Sequence, residues 1–284
     1  YCGREFTRSE LQAIKRLIAQ TPEANRAKLS RLVCERLAWR RPDGRLKEMS
    51  CRVAMLRMKE HGLIQLPPPQ NGNNNGKPYR RRTPHALPRR VPINVPAHRL
   101  ENLKLRPVAN SKESHLWNEY IDRYHYLGYQ PLPGAQIRYF ARSQEGVLAL
   151  LGFGAAAWKT APRDHFIGWS AKQRERQLHL LANNARFLIL PWVQSRNLAS
   201  RVLSMAARRL ANDWQQRYGY RPVLLETFVE IPRFRGTCYK AANWIKVGVT
   251  KGRGKRDQYK KARLPKKAIW LFPLVNTFRR QLLR

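Results

Sequence analysis

Apolar residues recur at helical spacing three times within the first sixty positions. Leu11, Ile14, Leu17 and Ile18 follow Thr7-Arg8-Ser9-Glu10, a capping box whose Thr oxygen takes an orphan backbone N–H while Glu10 reaches back, which predicts a helix over 8–20. Leu29, Leu32, Val33 and Leu37 predict a second helix. After the turn at Pro42-Asp43-Gly44, Met49, Val53 and Leu56 mark the inner stripe of a third, which runs to about His61 and stops at Gly62. Leu63-Ile64-Gln65-Leu66 reads as short and extended, ahead of three prolines.

Three helices and a strand are the ordering of a winged-helix or helix-turn-helix module. Its third helix would present Lys47, Ser50, Arg52, Arg57 or Lys59 to a major groove. A three-helix bundle with a solvated basic face fits the same pattern. Residues 67–107 lack periodicity and hold nine prolines, nine Lys or Arg and one acid, Glu101, so they read as a linker. Its Arg80-Arg81-Arg82 cluster is suited to phosphates.

A second domain is expected over 108–250. Leu116–Tyr126 has helical character, and 136–140 with 147–157 form a hairpin about Glu145-Gly146. Residues 186–193 read as a buried strand interrupted by Pro191, which demands an edge or a bulge. A helix over 198–216 buries Leu198, Val202, Ala206 and Leu210. A strand over 222–229, a short helix over 237–242 and a last strand over 244–247 complete an α+β domain with parallel-type crossovers. Residues 251–284 form a basic C-terminal segment.

Charge changes the picture most. The chain has 284 residues, 56 Lys plus Arg and 18 Asp plus Glu, a formal net charge of +38. Self-repulsion on that scale implies a polyanionic partner, and DNA is the expected one. With 43% hydrophobic residues the chain is rich enough in core formers to fold. No apolar run is long enough for a membrane span, and Cys2, Cys34, Cys51 and Cys238 lie far apart without a CxxC pair, so a cytoplasmic protein without a zinc ribbon or disulfide framework is expected. Lys251, Arg253, Lys255 and Arg256 open a stretch of nine basic residues in seventeen, with glycines that let backbone approach phosphates.

The succession from strand 186–193 through Gln194-Ser195-Arg196-Asn197-Leu198-Ala199, helix, strand, Gly236-Thr237-Cys238-Tyr239 and strand resembles the core of the GNAT-type N-acetyltransferases. That resemblance implies a splayed strand pair, a pyrophosphate-cradling loop at Gln194, Arg196, Asn197 and Ala199, an acyl-CoA cofactor, and Tyr239 as the acid for the leaving thiolate. Asn197 and Ala199 stand where the family has glycines. The Gly236–Trp244 run also resembles Mom-type DNA-modification proteins. Over nearly the whole chain, Tyr124-His125-Tyr126-Leu127-Gly128-Tyr129, Leu151–Trp158, Asn183–Val193 and Leu224–Glu230 are similar to the DruA family. This implies a DNA-binding component of a bacterial anti-phage Druantia system with other subunits, a helicase among them, or a role beside transposases.

Acids are scarce between 110 and 250, so the few present draw attention. Glu226 and Glu230, with Asp164-His165, are candidates for a Mg-dependent nuclease centre, against the plainer reading as salt-bridge partners. His125 is a candidate general base or an aromatic-cluster histidine. Cys238 is a candidate nucleophile or a small buried hydrophobe. Binding DNA would require no cofactor; acyl or carbamoyl transfer, or metal-dependent strand cleavage, is the alternative.

Overall fold

The computed structural model describes residues 1–41, 44–70, 79, 82–132, 134–252 and 264–284. The chain divides into two compact units, Tyr1–Lys77 and Pro78–Arg284.

The first unit contains α1 (Arg8–Gln20), α2 (Arg26–Arg36) and α3 (Glu48–Glu60). The capping box forms: the Glu10 N–H donates to Thr7 Oγ1 at 3.2 Å and the Thr7 N–H to Glu10 Oε2 at 3.0 Å. Ile14, Leu29, Val33, Trp39, Met55 and Met58 make its core. The third helix is turned from the sequence expectation. Cys51, Ala54, Met55 and Met58 face inward, whereas Met49 is 66% exposed and Val53 38%. Two stripes interleave on this helix, and the one with the full i, i+3, i+4, i+7 spacing is buried. The wing strand does not form. Residues 63–66 form no strand pairing among the described residues: the Leu63 N–H donates back to the Met58 carbonyl, Ile64 turns into the core, and three prolines follow that cannot donate to a ladder. Among the described residues of this unit, the β structure is a single bridge between Arg40 and Leu46.

The second unit is built on a seven-stranded sheet: β1 (Lys104–Pro107), β2 (Ile137–Ser143), β3 (Gly146–Ala155), β4 (Leu181–Ile189), β5 (Leu224–Glu230), β6 (Ile245–Val249) and β7 (Lys267–Pro273), in the order β1-β2-β3-β4-β5-β7-β6. Its helices are α4 (Ser111–Tyr124), α5 (Ala161–Ile167), α6 (Ala171–Gln177), α7 (Leu198–Tyr218), α8 (Thr237–Ala241) and α9 (Phe278–Leu282). The hairpin of β2 and β3 and the buried stripe Leu198, Val202, Ala206, Leu210 on α7 match their sequence patterns. The sheet also takes in two stretches assigned elsewhere. β1 lies in the expected linker, and β7, an apolar Ala-Ile-Trp-Leu-Phe run, lies in the expected basic tail.

Residues 83–107 pack onto this unit instead of hanging free. Ala86, Ile93, Ala97 and Leu100 are buried in its core, and the Tyr120 and Tyr124 hydroxyls donate to the carbonyls of His85 and Ala86 at 2.8 and 2.7 Å. Proline fixes this backbone without a helix or strand period, so burial here leaves no periodic trace in the sequence.

The first unit closes its own core, although at its size the burial is modest. Residues 1–77 produced alone are expected to show a helical circular-dichroism spectrum and a cooperative thermal transition; a random-coil spectrum would show that the unit depends on the rest of the chain.

Candidate functional site

Every neighbouring pair in the sheet is antiparallel except β4 and β5, and these two run in register for three pairs only, Leu181 with Leu224, Ala182 with Leu225 and Asn183 with Glu226. Beyond them the strands fork. The cause is local: Asn184 faces Phe153 and Arg186 faces Gly152, so Ala185 is an extra residue on β4 that bends it away. This bulge, and not Pro191, splays the strand; Pro191 falls in the turn after β4. Asn184 fastens the bulge through Nδ2, which donates to the carbonyls of Arg186 at 3.1 Å and Gly152 at 3.4 Å. Gly152 lets β3 pack closely here, since a Cβ at this position would stand 3.1 Å from the Trp117 ring, tighter than an ordinary contact.

Tyr239 closes the apex of the fork. Its hydroxyl donates to Asn184 Oδ1 at 2.8 Å, Thr227 Oγ1 donates to the Asn184 carbonyl at 3.0 Å, and the rings of Phe187 and Trp244 flank it at 6.2 and 5.1 Å. Burial pushes the Tyr239 hydroxyl above its ordinary pKa. Gly236 seats α8 in this position: its φ is +72°, and a Cβ would come within 2.8 Å of Trp270. A hydroxyl held inside on an amide does not fit the acid that a leaving thiolate needs.

Behind the fork, the loop to α7 holds Asn197 at φ +65°, the left-handed conformation that a family glycine would supply and that Asn tolerates better than most residues. Gln194, Arg196 and Asn197 are exposed and Ala199 is half-buried. The loop is strapped from outside. The Ile93 N–H donates to the Trp192 carbonyl at 2.8 Å, the Gln194 N–H to the Ile93 carbonyl at 2.9 Å and the Ala97 N–H to the Arg196 carbonyl at 3.1 Å, while the Arg201 guanidinium holds the Ala97 carbonyl. The loop shape suits a phosphate, but with Tyr239 sealed the set as a whole does not fit acyl-CoA as a transferase cofactor.

Glu226 and Glu230 do not converge, and Glu226 and Asp164 meet on Arg163, whose cation occupies the place between them. Glu226 is fully buried, accepting the Ala157 N–H at 2.7 Å and paired with the equally buried Arg163 at 2.9 Å. Arg163 also binds Asp164 at 2.8 Å and the Ala157 carbonyl at 2.6 Å. Complete burial pushes the Glu226 pKa up against the pull of Arg163. Glu230 lies four residues on, about 13 Å along the strand, too far to share with Glu226 a metal pair about 4 Å wide. No cluster of three or more His, Cys, Asp or Glu able to hold a metal forms among the described residues. Burial raises the Cys238 thiol, the opposite of an activated nucleophile.

His125 sits at the mouth of the fork, stacked on Tyr126 at 4.8 Å. The Leu127 N–H donates to its Nδ1 at 3.2 Å, which places the proton of the neutral ring on Nε2 and leaves that atom a donor, not a base. Burial and the charges of Arg186, Arg233 and Lys267 lower its pKa to about 4. Sequence reasoning expected Arg186 as a positive charge where the two strands part, but missed Arg233 at this place and the structural parts of Asn184 and Arg163. A polar pair, Asn183-Asn184, inside an apolar strand was the available signal for Asn184.

Of the expected nucleic-acid contacts, Arg57, Lys59, Arg196 and Lys251 are exposed, and Arg52 is half-buried, its shielded Nε without an acceptor among the described residues. Arg82 is paired with Asp122 at 2.7 Å. Arg80, Arg81, Arg253, Lys255 and Arg256 lie outside the described residues, as do the turn residues Pro42-Asp43 and the Asn-rich patch at 71–76. No described helix is long and apolar enough to cross a membrane.

A mixed sheet forked at its one parallel pair, with a helix-start loop behind the fork, defines an acetyltransferase-like domain. Solved structures similar to it include an N-acetyltransferase from Staphylococcus aureus Mu50 (14% identity, 62% of this chain and 100% of that one, TM-score 0.37). A GNAT-family acetyltransferase from Streptococcus pneumoniae gives 12%, 61%, 99% and 0.39, and the ribosomal-protein-S18-alanine N-acetyltransferase from Escherichia coli 9%, 60%, 93% and 0.38. The chain belongs to the DruA family, whose model, described as Druantia protein DruA, matches residues 58–263. No curated protein matches the chain.

Two outcomes follow from these geometries. Glu226→Ala would leave Arg163 buried short of a partner and is expected to cost about 3–5 kcal/mol of stability in urea denaturation; an unchanged midpoint would return Glu226 to the list of catalytic candidates. His125 binds its proton less readily folded than unfolded, so its contribution is nil above pH 6.5 and turns destabilising as pH falls from 6.5 to about 4. Arg186 from β4, Arg233 beyond β5 and Lys267 on β7 face it and hold the ring neutral. Thermal melts of His125→Gln against the parent over this range are expected to converge toward, or cross in favour of, the variant at low pH; parallel curves would refute the shift.

Proposed function

We propose that this chain is the nucleic-acid-binding component of a Druantia-type anti-phage system, holding DNA through basic surfaces of both units. Membership of the DruA family supports the defence context and a multi-subunit setting in which a helicase would act on the same DNA. The observation that carries the binding reading is where the charges lie. The acids of the second unit are largely committed within it: Glu226 and Glu119 are buried, and Asp164, Asp122 and Asp213 each hold an arginine. The cations Lys104, Arg106, Arg196, Arg208, Arg221 and Lys246 stay exposed. The surface of the described residues is therefore cationic, in a chain of net charge +38, and counterion release from a polyanion is the interaction that relieves it. In the first unit, Arg57 and Lys59 on α3 extend the same chemistry.

Transfer to a base or strand cleavage is the competing reading, and the sealed Tyr239 and the dispersed carboxylates speak against it. Nucleoside mass spectrometry of DNA incubated with the protein and acetyl-CoA, beside a cleavage gel with Mg²⁺, separates the two.

DNA affinity of the full chain is expected to fall steeply with salt, with a slope equivalent to several phosphates. Arg196→Ala is expected to weaken binding by about 1–2 kcal/mol through one charge-assisted contact. A slope below about two phosphates, measured by fluorescence anisotropy, would overturn the reading.

A further inference from the structure

The mouth of the β4–β5 fork gathers features that the fold does not require. Arg186 leaves the bulge of β4 with one Nη donating to the neighbouring Ala185 carbonyl at 2.8 Å. Its Nε is shielded from solvent and has no acceptor, and no carboxylate pairs with it among the described residues. Such a guanidinium calls for an anion, because a shielded charge with unsatisfied donors is costly. Two more cations share the place. Arg233 lies 4.6 Å over the Tyr126 ring, and Lys267 stands in register with Glu230 at the end of β5. The His125 ring feels the charge of all three, so these groups form one cluster. Glu230 is the acid beside them; it bears on Tyr126 and forms no ion pair among the described residues.

The other half of the cluster is aromatic. Tyr126 meets Phe234 edge-on at 5.1 Å, and Phe234 is left 45% exposed, with Leu127 close by in sequence and 40% exposed. A solvent-facing ring beside the shielded Arg186 guanidinium and two further cations is the pairing that recognises a nucleotide: cations for the phosphate, a π-face for the base. Lipid headgroups or free phosphate would use the cations and leave the ring idle.

We propose that the mouth of this fork binds a single nucleotide unit of single-stranded nucleic acid, its phosphate held by Arg186 with Arg233 and Lys267 and its base stacked on Phe234. A base in a continuous duplex cannot reach such a shelf, so the unit is a strand end or an everted nucleotide. This rests on the nucleic-acid reading above and names the form and place of the ligand. His125, with Nε2–H as donor, adds a neutral hydrogen bond to the same phosphate.

The test uses the full chain and a short single-stranded oligodeoxynucleotide labelled for anisotropy, beside the same oligonucleotide carrying an abasic site at each position in turn. Phe234→Ala is exposed enough to leave the fold alone and is expected to weaken the intact oligonucleotide about tenfold while leaving the most affected abasic version unchanged. Arg186→Gln is expected to weaken intact and abasic versions alike, also about tenfold. Equal binding by parent and Phe234→Ala, or the same loss on every abasic probe, overturns the proposal. So does a folded Arg186→Gln chain with parental affinity. Loss of the proposal in these ways would leave steep, salt-dependent duplex binding intact, whereas failure of the parent to bind any DNA would instead remove the proposed function itself.

Discussion

The second unit depends on one buried ion pair. Arg163 and Glu226 have no exposure; Arg163 is the cation that answers Glu226, and it divides its own donors between Glu226 and Asp164. Arg163 comes from α5, in the connection from β3 to β4, and Glu226 from the middle of β5, so the pair ties that connection to the strand on the far side of the fork. Removing Arg163 would strand Glu226, and removing Glu226 would leave Arg163 with Asp164 alone, which makes the pair a constraint on register more than a source of net stability. The Ala157 backbone completes it, with its N–H on Glu226 and its carbonyl on Arg163.

From that fixed point the fork follows. Asn183 sits opposite Glu226, and two residues later the bulge at Ala185 turns β4 aside. What holds the sheet together there is side chain chemistry: Thr227 on the Asn184 carbonyl, Tyr239 on its amide. The groups that an acetyltransferase would use at this place serve here as joinery, and the cations gather further out, at the mouth.

Periodic burial was legible in the sequence. The α7 stripe, the β2–β3 hairpin and the capped α1 all repeat apolar residues at a period that burial imposes. α3 carried two overlapping stripes, and only packing decides between them. Ile93, Ala97 and Leu100 sit among prolines with no period at all, and β7 hides its apolar run behind a cationic stretch. The candidate site was legible as residues and not as roles. Glu226 and Tyr239 stood out, but their partners lie 63 and 55 positions away, and neither spacing carries a pattern. Asn197 looked like a defect in a glycine loop, yet asparagine adopts the same left-handed turn.

The bulge at Ala185 also changes the sheet's relation to water. Past the last paired residues, β4 keeps β3 as its only neighbour and β5 keeps β7, so peptide groups on the facing edges lack a ladder. An unpaired edge at the rim of a sheet invites another chain to add a strand and is a hazard for aggregation. Here the unpaired edge lies inside the sheet, between two walls and under the Tyr239 ring. Side chains meet part of it, Thr227 on the Asn184 carbonyl among them, and the remaining peptide groups offer hydrogen bonds to something small instead of to a neighbouring strand.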